Sequence, residues 1–409
     1  MSNRRQYKTG SVYQRKKDWR WFGTVESGYT RTGSRKRITV SAPGCEGGCK
    51  PSCAHKAEIK RRLETKQREL NRGTAVTGPR KTVKSWAETW LAETAKNVTP
   101  NAHTTDRVAV GWIVETIGAK RLDTLTPADV RAVTDAILKG RDDKPNSTST
   151  ALRYHGPLMR MLTAAKLEGF AVPDNVLLVK GRAPAVNDRT NMSVEEALAI
   201  LEQASRLPHG SRWLLAFLYA PRQGEALGLT NACVDANDIQ FAWQLQPLPY
   251  RVRFDRKSGF RVPDGYEHRQ LVGTAHLVRP KSKAGCRTVP MLPMMQTPLD
   301  HWGHIAPETP HDLIWTRYDG APIDEDDDRA EFYAMQDAAG VQHASGRHYY
   351  VHEIRHTTAT LLKALGVDEQ TRIAIMGHSS IASTRTYEHR DLEQIRSALE
   401  LVAGRLQIS

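Results

Sequence analysis

Between residues 10 and 41 apolar and polar positions alternate: Val12 and Tyr13, then Trp19, Trp21, Phe22, Val25 and Tyr29, then Ile38, Thr39 and Val40. Aromatic and β-branched residues in that rhythm, broken at Lys17-Asp18 and at Thr32-Gly33-Ser34, predict a small β-meander. Its aromatics are expected to form the mini-core, because three strands have little else to bury. From Ala54 to Asn71 the pattern becomes that of a charged helix closed by Gly73, and 73–80 has linker composition.

A helical period takes over at Thr82, with Trp86, Trp90 and Leu91 on one face and Val108, Trp112, Ile113 and Ile117 on another. Thr126-Pro127 reads as a helix entry, Thr126 capping and Pro127 in the first helical position. Apolar helices follow around 128–138 and 147–168, completing a four-helix unit over roughly 81–170. Val172-Pro173 through Arg189 looks extended and linker-like, and Ser193 with Glu196 makes a capping box that opens the next helix. Further on come an apolar helix before Pro221, two β-branched runs (271–278 and 287–291) around a Lys/Gly turn that predict a hairpin, and an apolar helix from Thr357 to the cap at Gly366. Leu392, Ile395, Leu399 and Val402 recur at helical spacing at the end. The fold class expected is multidomain α+β: a small β-sheet module over 1–73, a helical domain over 81–172 and a mainly helical domain with a small β-sheet over 186–409.

Charge sharpens this division. The formal charge of +14 lies wholly at the start: residues 1–80 hold 20 Lys/Arg against 6 Asp/Glu, and the remainder holds 39 of each. A basic segment on a neutral body is the footprint of polyanion binding, since each phosphate neutralised releases condensed counterions. The start of the chain lacks the apolar stretch of a signal peptide, and no run is long enough to span a bilayer, so a cytoplasmic protein without a membrane partner is expected. Five cysteines make disulfides a poor expectation in that compartment. Cys45, Cys49, Cys53 and His55 supply four ligands suited to tetrahedral zinc, with Gly44, Gly47 and Gly48 giving the backbone freedom to wrap a metal. The alternative is a loop of reduced cysteines.

The candidate chemistry lies in the last two hundred residues. Val351-His352-Glu353-Ile354-Arg355-His356 is followed by Gly377-His378, then by Tyr387 nine residues after that histidine, with His389 close behind. A phenol nucleophile, an arginine for a phosphate and imidazoles for proton transfer make a phosphoryl-transfer set. Upstream, Pro221-Arg222-Gln223-Gly224-Glu225 follows the apolar helix beginning near Trp213, and Pro221 should bias Ala220 toward extended geometry.

The H-x-x-R, G-H and tyrosine order, with an R-x-G-E box ahead of it, resembles the tyrosine recombinases, or phage-type integrases. The likeness is specific over 186–409, looser over 81–170 and architectural over 1–73. It implies an arm-binding module, a core-binding domain and a catalytic domain in that order. It further implies that Arg222 and Arg355 hold the scissile phosphate, His352 takes a proton, His378 hydrogen-bonds a phosphate oxygen and Tyr387 attacks. Lys281, with Lys283 as competitor, would protonate the leaving 5′ oxygen. Glu225 would orient its neighbours, His356 and His389 would be structural, and the last helix would pack in cis or on a neighbouring protomer. Lys120, Arg121, Lys139, Arg141, Lys144, Arg153 and Arg160 are candidates for backbone contacts, set against a merely solvated face.

Double-stranded attachment-site DNA, a homotetramer on it, an excisionase and a host DNA-bending protein are the implied partners, and no cofactor or ATP is needed for the chemistry. Two other functions stay open: DNA relaxation of the type IB topoisomerase kind, and non-catalytic DNA binding.

Overall fold

The computed structural model describes residues 11–29, 35–45, 53–71, 81–186, 189–280, 285–377 and 392–408. The chain divides into two compact units, Met1–Ala185 and Val186–Ser409. It is a multidomain α+β protein.

In the first unit β1 (Ser11–Gln14), β2 (Trp21–Tyr29) and β3 (Arg35–Ala42) form an antiparallel meander, with Tyr13 opposite Phe22 and Val25 opposite Ile38. The period of two puts Trp21 and Val25 on the face covered by α1 (Ala54–Asn71), where they meet Ile59 and Leu63. Gly23 lies between them because a side chain there would begin 3.2 Å from Leu63. The aromatics were expected to form the mini-core, but of those among the described residues only Trp21 is buried, whereas Tyr13 is half-exposed and stacks on Phe22.

Helices α2 (Val83–Thr94), α3 (Pro100–Ile117), α4 (Pro127–Lys139) and α5 (Thr148–Leu167) bury Trp86, Trp90, Trp112, Ile113, Val133, Leu158 and Leu162 in one core. Val108, assigned to the apolar face, is exposed instead. Thr126 and Asp129 form a reciprocal capping box at α4, and the Trp86 indole donates to the Met161 carbonyl at 2.8 Å. The segment expected to be linker from 172 onward begins as core: Val172 and Val176 are buried, α6 (Asp174–Leu177) forms, and the His155 ring meets the Val179 carbonyl. Hydrophobic burial therefore extends past the boundary expected at 172. Of the basic residues considered for DNA contact, Lys120, Arg121, Arg141 and Arg160 lie in ion pairs with Asp129, Asp123, Glu115 and Asp106.

The second unit is built around α8 (Ser211–Tyr219), whose Trp213, Leu215, Phe217, Leu218 and Tyr219 are all buried. A helix apolar on every side must be enclosed. Around it pack α7 (Val194–Ala204), α10 (Pro293–Ile305), α12 (Val351–Ala364) and α14 (Leu392–Arg405), while α11 (Glu325–Ala339) lies against α7. The short α9 (Gln223–Leu227) follows α8, and α13 (Glu369–Met376) follows α12. Ile395, Leu399 and Val402 of α14 are buried in this same core, so that helix packs in cis.

The strands depart from the expected hairpin. β4 (Asp238–Phe241) pairs with β8 (Arg287–Pro290), while β7 (Ala275–Val278) lies between β5 (Gln244–Pro247) and β6 (His268–Val272). Both edges of β7 are filled, so it has none left for β8. Residues 279–286 therefore connect two sheets rather than turning one hairpin. Among the described residues no helix is long and apolar enough to cross a membrane.

Candidate active site

The site assembles where α8, α9, β8, α12 and α13 converge. Ala220 ends α8 in the left-handed conformation, at φ 48° and ψ 40°. Extended geometry was the expectation from Pro221. Instead the helix closes through an Ala220 N–H bond to Ala216, and the Ala220 carbonyl accepts from Arg355 Nη1 at 2.5 Å. Tertiary pairing overrides the pre-proline bias.

Arg222 caps α9, and its backbone N–H donates to Glu225 at 3.0 Å, as a capping-box arrangement requires. Its guanidinium donates to the other Glu225 oxygen at 2.6 Å. Glu225 has no exposed surface, and it also receives Arg287 Nη1 at 2.9 Å. Burial opposes ionisation of this carboxyl, but Arg287 and then Arg222 outweigh it and hold the group below the usual carboxylate range. Glu225 thus holds Arg222 and Arg287 together through one buried carboxylate.

Three guanidiniums then converge on one helix end. Arg287 Nε donates to the Ile375 carbonyl at 2.6 Å, Arg355 Nη2 to Met376, and Arg222 Nη2 reaches Gly377 at 3.5 Å. These are the last carbonyls of α13, left without helical partners, and Gly377 at φ 65° closes the helix. The negative end of the helix dipole adds to the attraction. Among the described residues one carboxylate faces three guanidiniums, an excess of two positive charges, and Arg222, 41% exposed, presents it to solvent. Burial first, then Arg287 and Arg222, push the Arg355 pKa down to about 9, which leaves it charged at neutral pH. Burial likewise lowers the pKa of Arg287, whose guanidinium lies 4.3 Å over the Phe241 ring.

His352 and Arg355 stand three residues apart on α12 and so share a face. The His352 ring, although it reaches solvent, is pushed to a pKa of about 4 by partial desolvation and then by His356, Arg355, Arg189 and Arg222. It is therefore neutral at pH 7 and able to accept a proton. His356 packs edge-on against it with ring centroids 4.9 Å apart. Glu353 anchors the helix start: it accepts from the Tyr350 and Thr190 N–H groups at 2.7 and 3.1 Å and from both Arg347 terminal nitrogens at 2.8 Å.

Arg222, His352 and Arg355 are thus brought together. His378, Tyr387, His389, Lys281 and Lys283 lie outside the described residues, as does Cys49. Cys45, Cys53 and His55 gather in the first unit. Sequence reasoning missed Arg287, treated only as part of a strand tail, and the Arg347–Glu353 clamp. A lone arginine entering an apolar strand, Arg287-Thr288-Val289-Pro290, was the available signal, because such a charge must be paired if buried.

Residues 270–394 match the family model described as the phage integrase family. Over that segment the chain carries a phage integrase, or tyrosine recombinase, domain. An integrase of Saccharopolyspora erythraea is 38% identical over 81 residues, 19% of this chain and 17% of that protein. Tyrosine recombinase XerC of Bacillus subtilis is 34% identical over 89 residues, 22% of this chain and 28% of that one. The chain thus spans less than a third of the length of these curated relatives.

The fold is shared with solved structures. The Tn1549 transposon integrase, solved with transposon right end DNA, aligns with a TM-score of 0.59 at 16% identity over 79% of this chain and 99% of that one. A lambda integrase in a tetramer bound to a Holliday junction gives 0.53 at 15% identity over 92% and 98%.

Proposed function

We propose that this protein is a site-specific DNA recombinase that joins a phage or other integrative element to a second duplex through a covalent link to Tyr387, without ATP or a catalytic metal. The observation that carries this is the Arg222–Arg287–Arg355 cluster, net positive around Glu225, held on the last carbonyls of α13 with a neutral imidazole at its edge. A phosphodiester gains negative charge on its nonbridging oxygens during in-line attack, and guanidiniums already fixed in place stabilise that charge with little reorganisation. Arg222 and Arg355 take this role, and Arg287 positions Arg222 through their shared carboxylate. The match of residues 270–394 to the phage integrase family model supports assigning the attack to Tyr387 and the second phosphate hydrogen bond to His378.

In the first step the Tyr387 oxygen attacks phosphorus and its proton passes to His352. The bond to the 5′ oxygen breaks, and Lys281, or Lys283, supplies that oxygen with a proton. A 3′-phosphotyrosine and a 5′-hydroxyl result, so the phosphodiester's energy is retained. The 5′-hydroxyl of a partner strand then attacks the phosphotyrosine, restores the phosphodiester and releases the phenol. Exchange of two strand pairs in sequence passes through a Holliday junction and requires four copies of the chain. The fold shared with a lambda integrase, solved as a tetramer on such a junction, supports this assembly. The basic excess in residues 1–80 suits the first module to a second class of DNA site, where an excisionase and a host bending protein would set direction in the bacterial nucleoid.

A type IB topoisomerase would share the tyrosine step but act alone and only relax supercoils. Incubating the full chain with a supercoiled plasmid carrying one attachment site and a labelled linear duplex carrying the other separates the two. Junctions and recombinant products are expected; relaxed plasmid with no joined label would replace this function with relaxation.

A further inference from the structure

The cysteine and histidine cluster of the first unit takes no part in strand exchange as described above, and its geometry suits a metal. We infer that Cys45, Cys53 and His55 bind a structural zinc ion that ties the end of the β-meander to the start of α1.

The three side chains come from two separate stretches, Cys45 from the loop after β3, and Cys53 and His55 from the residue before α1 and its first turn. Their ligand atoms all lie within 4.8 Å of one another. The Cys45 and Cys53 sulfurs are 3.7 Å apart, and Cys45 Sγ is 3.5 Å from His55 Nδ1. A tetrahedral zinc, about 2.3 Å from each sulfur and about 2.0 Å from the nitrogen, would set those two edges at about 3.8 and about 3.5 Å. A disulfide would instead bring the sulfurs to about 2.05 Å. Two soft thiolates and an imidazole select zinc over hard cations such as magnesium or calcium.

The surroundings hold the donors in place. Cys53 caps α1, its carbonyl accepting from the Lys56 and Ala57 N–H groups at 3.0 and 3.2 Å. Gln14 Nε2 donates to the Cys45 carbonyl at 3.4 Å and to that of Trp19 at 2.7 Å, so β1 fixes the approach of the loop. Gly44 is required in that approach: a side chain there would begin 1.6 Å from the Trp19 carbonyl oxygen. The physical need is plain, because among the described residues the apolar core between sheet and helix is little more than Trp21, Val25, Ala42, Ile59 and Leu63, with Val12 and Val40 packed against it. A core this small is marginal on its own, and small natural domains commonly add a metal, disulfides or a partner to hold it. With zinc bound, the metal holds α1 against the sheet and gives the basic residues of both a fixed spacing for DNA.

The test uses the untagged full chain, expressed with zinc in the medium and assayed by elemental analysis and native mass spectrometry. One zinc per chain is expected, lost in Cys53→Ser and in His55→Ala and kept in Cys286→Ser. Because the first two variants could fail to fold for other reasons, cobalt is added to the metal-stripped wild-type chain as an independent readout. The visible bands of tetrahedral cobalt together with a thiolate charge-transfer band are expected. A wild-type chain that carries no zinc and gives no such cobalt spectrum, or one whose Cys45 and Cys53 are found joined as a disulfide, would overturn the inference.

Discussion

Replacing Glu225 by glutamine removes one negative charge from the centre of the arginine cluster while keeping the side chain's shape. The carboxylate is fully buried and holds Arg222 at 2.6 Å and Arg287 at 2.9 Å. In the variant one oxygen becomes an NH2 group that points a donor at a guanidinium, and Arg287, only 6% exposed, loses its counter-charge. Breaking a buried ion pair by removing one partner costs about 3–5 kcal/mol. The Arg222 share is small, since its side chain is 41% exposed and such pairs are worth roughly 0.2–1 kcal/mol. At roughly 2–4 °C per kcal/mol for a domain of this size, the transition of the second unit should fall by roughly 6–20 °C in calorimetry of the full chain. The sign with pH follows from the depressed carboxyl: its contribution is present above the unfolded value near 4.5 and is lost on acidification, and the variant should lack that acid sensitivity. Pairing Glu225→Leu with Arg287→Met should recover much of the loss, because an apolar pair needs no compensation. A Glu225→Gln chain that melts within about 2 °C of wild type and cleaves DNA normally would refute the claim that this carboxylate organises the site.

Other residues give equally direct expectations. Arg355→Lys cannot span the Ala220 and Met376 carbonyls from a single ammonium, so DNA cleavage should fall by roughly 10²–10³-fold in single-turnover assays while DNA binding persists. His352, with a pKa of about 4, should place the acid limb of cleavage by free enzyme far below 6.5; between 6.5 and about 4 the unfolded chain binds the proton first, so acid destabilises the fold through this residue, and His352→Gln should flatten that dependence in urea titrations across pH. Ala220→Gly relieves a left-handed alanine and should stabilise the second unit by up to about 1 kcal/mol in the same titrations, with the Arg355 bond to the backbone retained.

Much of this was legible because local rules act through near neighbours. The capping boxes at Thr126 and Ser193, the period of two around Trp21 and Val25, and the His352/Arg355 spacing on one helix face are all set by residues within a few positions. What escaped was set at long range. Arg287 meets Glu225 across 62 residues and the α13 carbonyls across 88, and neither separation leaves a periodic trace. The hairpin expected around Lys281 failed for a similar reason: β7 pairs with β5 and β6 on its two edges and β8 with β4, strands from 238–272 where the pattern had pointed to no partner. At Ala220 the pre-proline bias was real but weak, and the demands of the helix end and of Arg355 outweighed it. Val172 and Val176 look like linker next to Pro173, yet the helical core needed their volume.

The most direct test of the proposed chemistry is a covalent one. A duplex carrying the attachment sequence and a nick that lets the freed 5′-hydroxyl fragment diffuse away is incubated with the full chain, without ATP or divalent metal, and resolved on a denaturing gel. The proposal predicts a slow-migrating protein–DNA adduct whose digested peptide carries a nucleotide on Tyr387, and no adduct with Tyr387→Phe. A wild-type chain that binds this duplex but forms no adduct, or an adduct that persists in Tyr387→Phe, would contradict it.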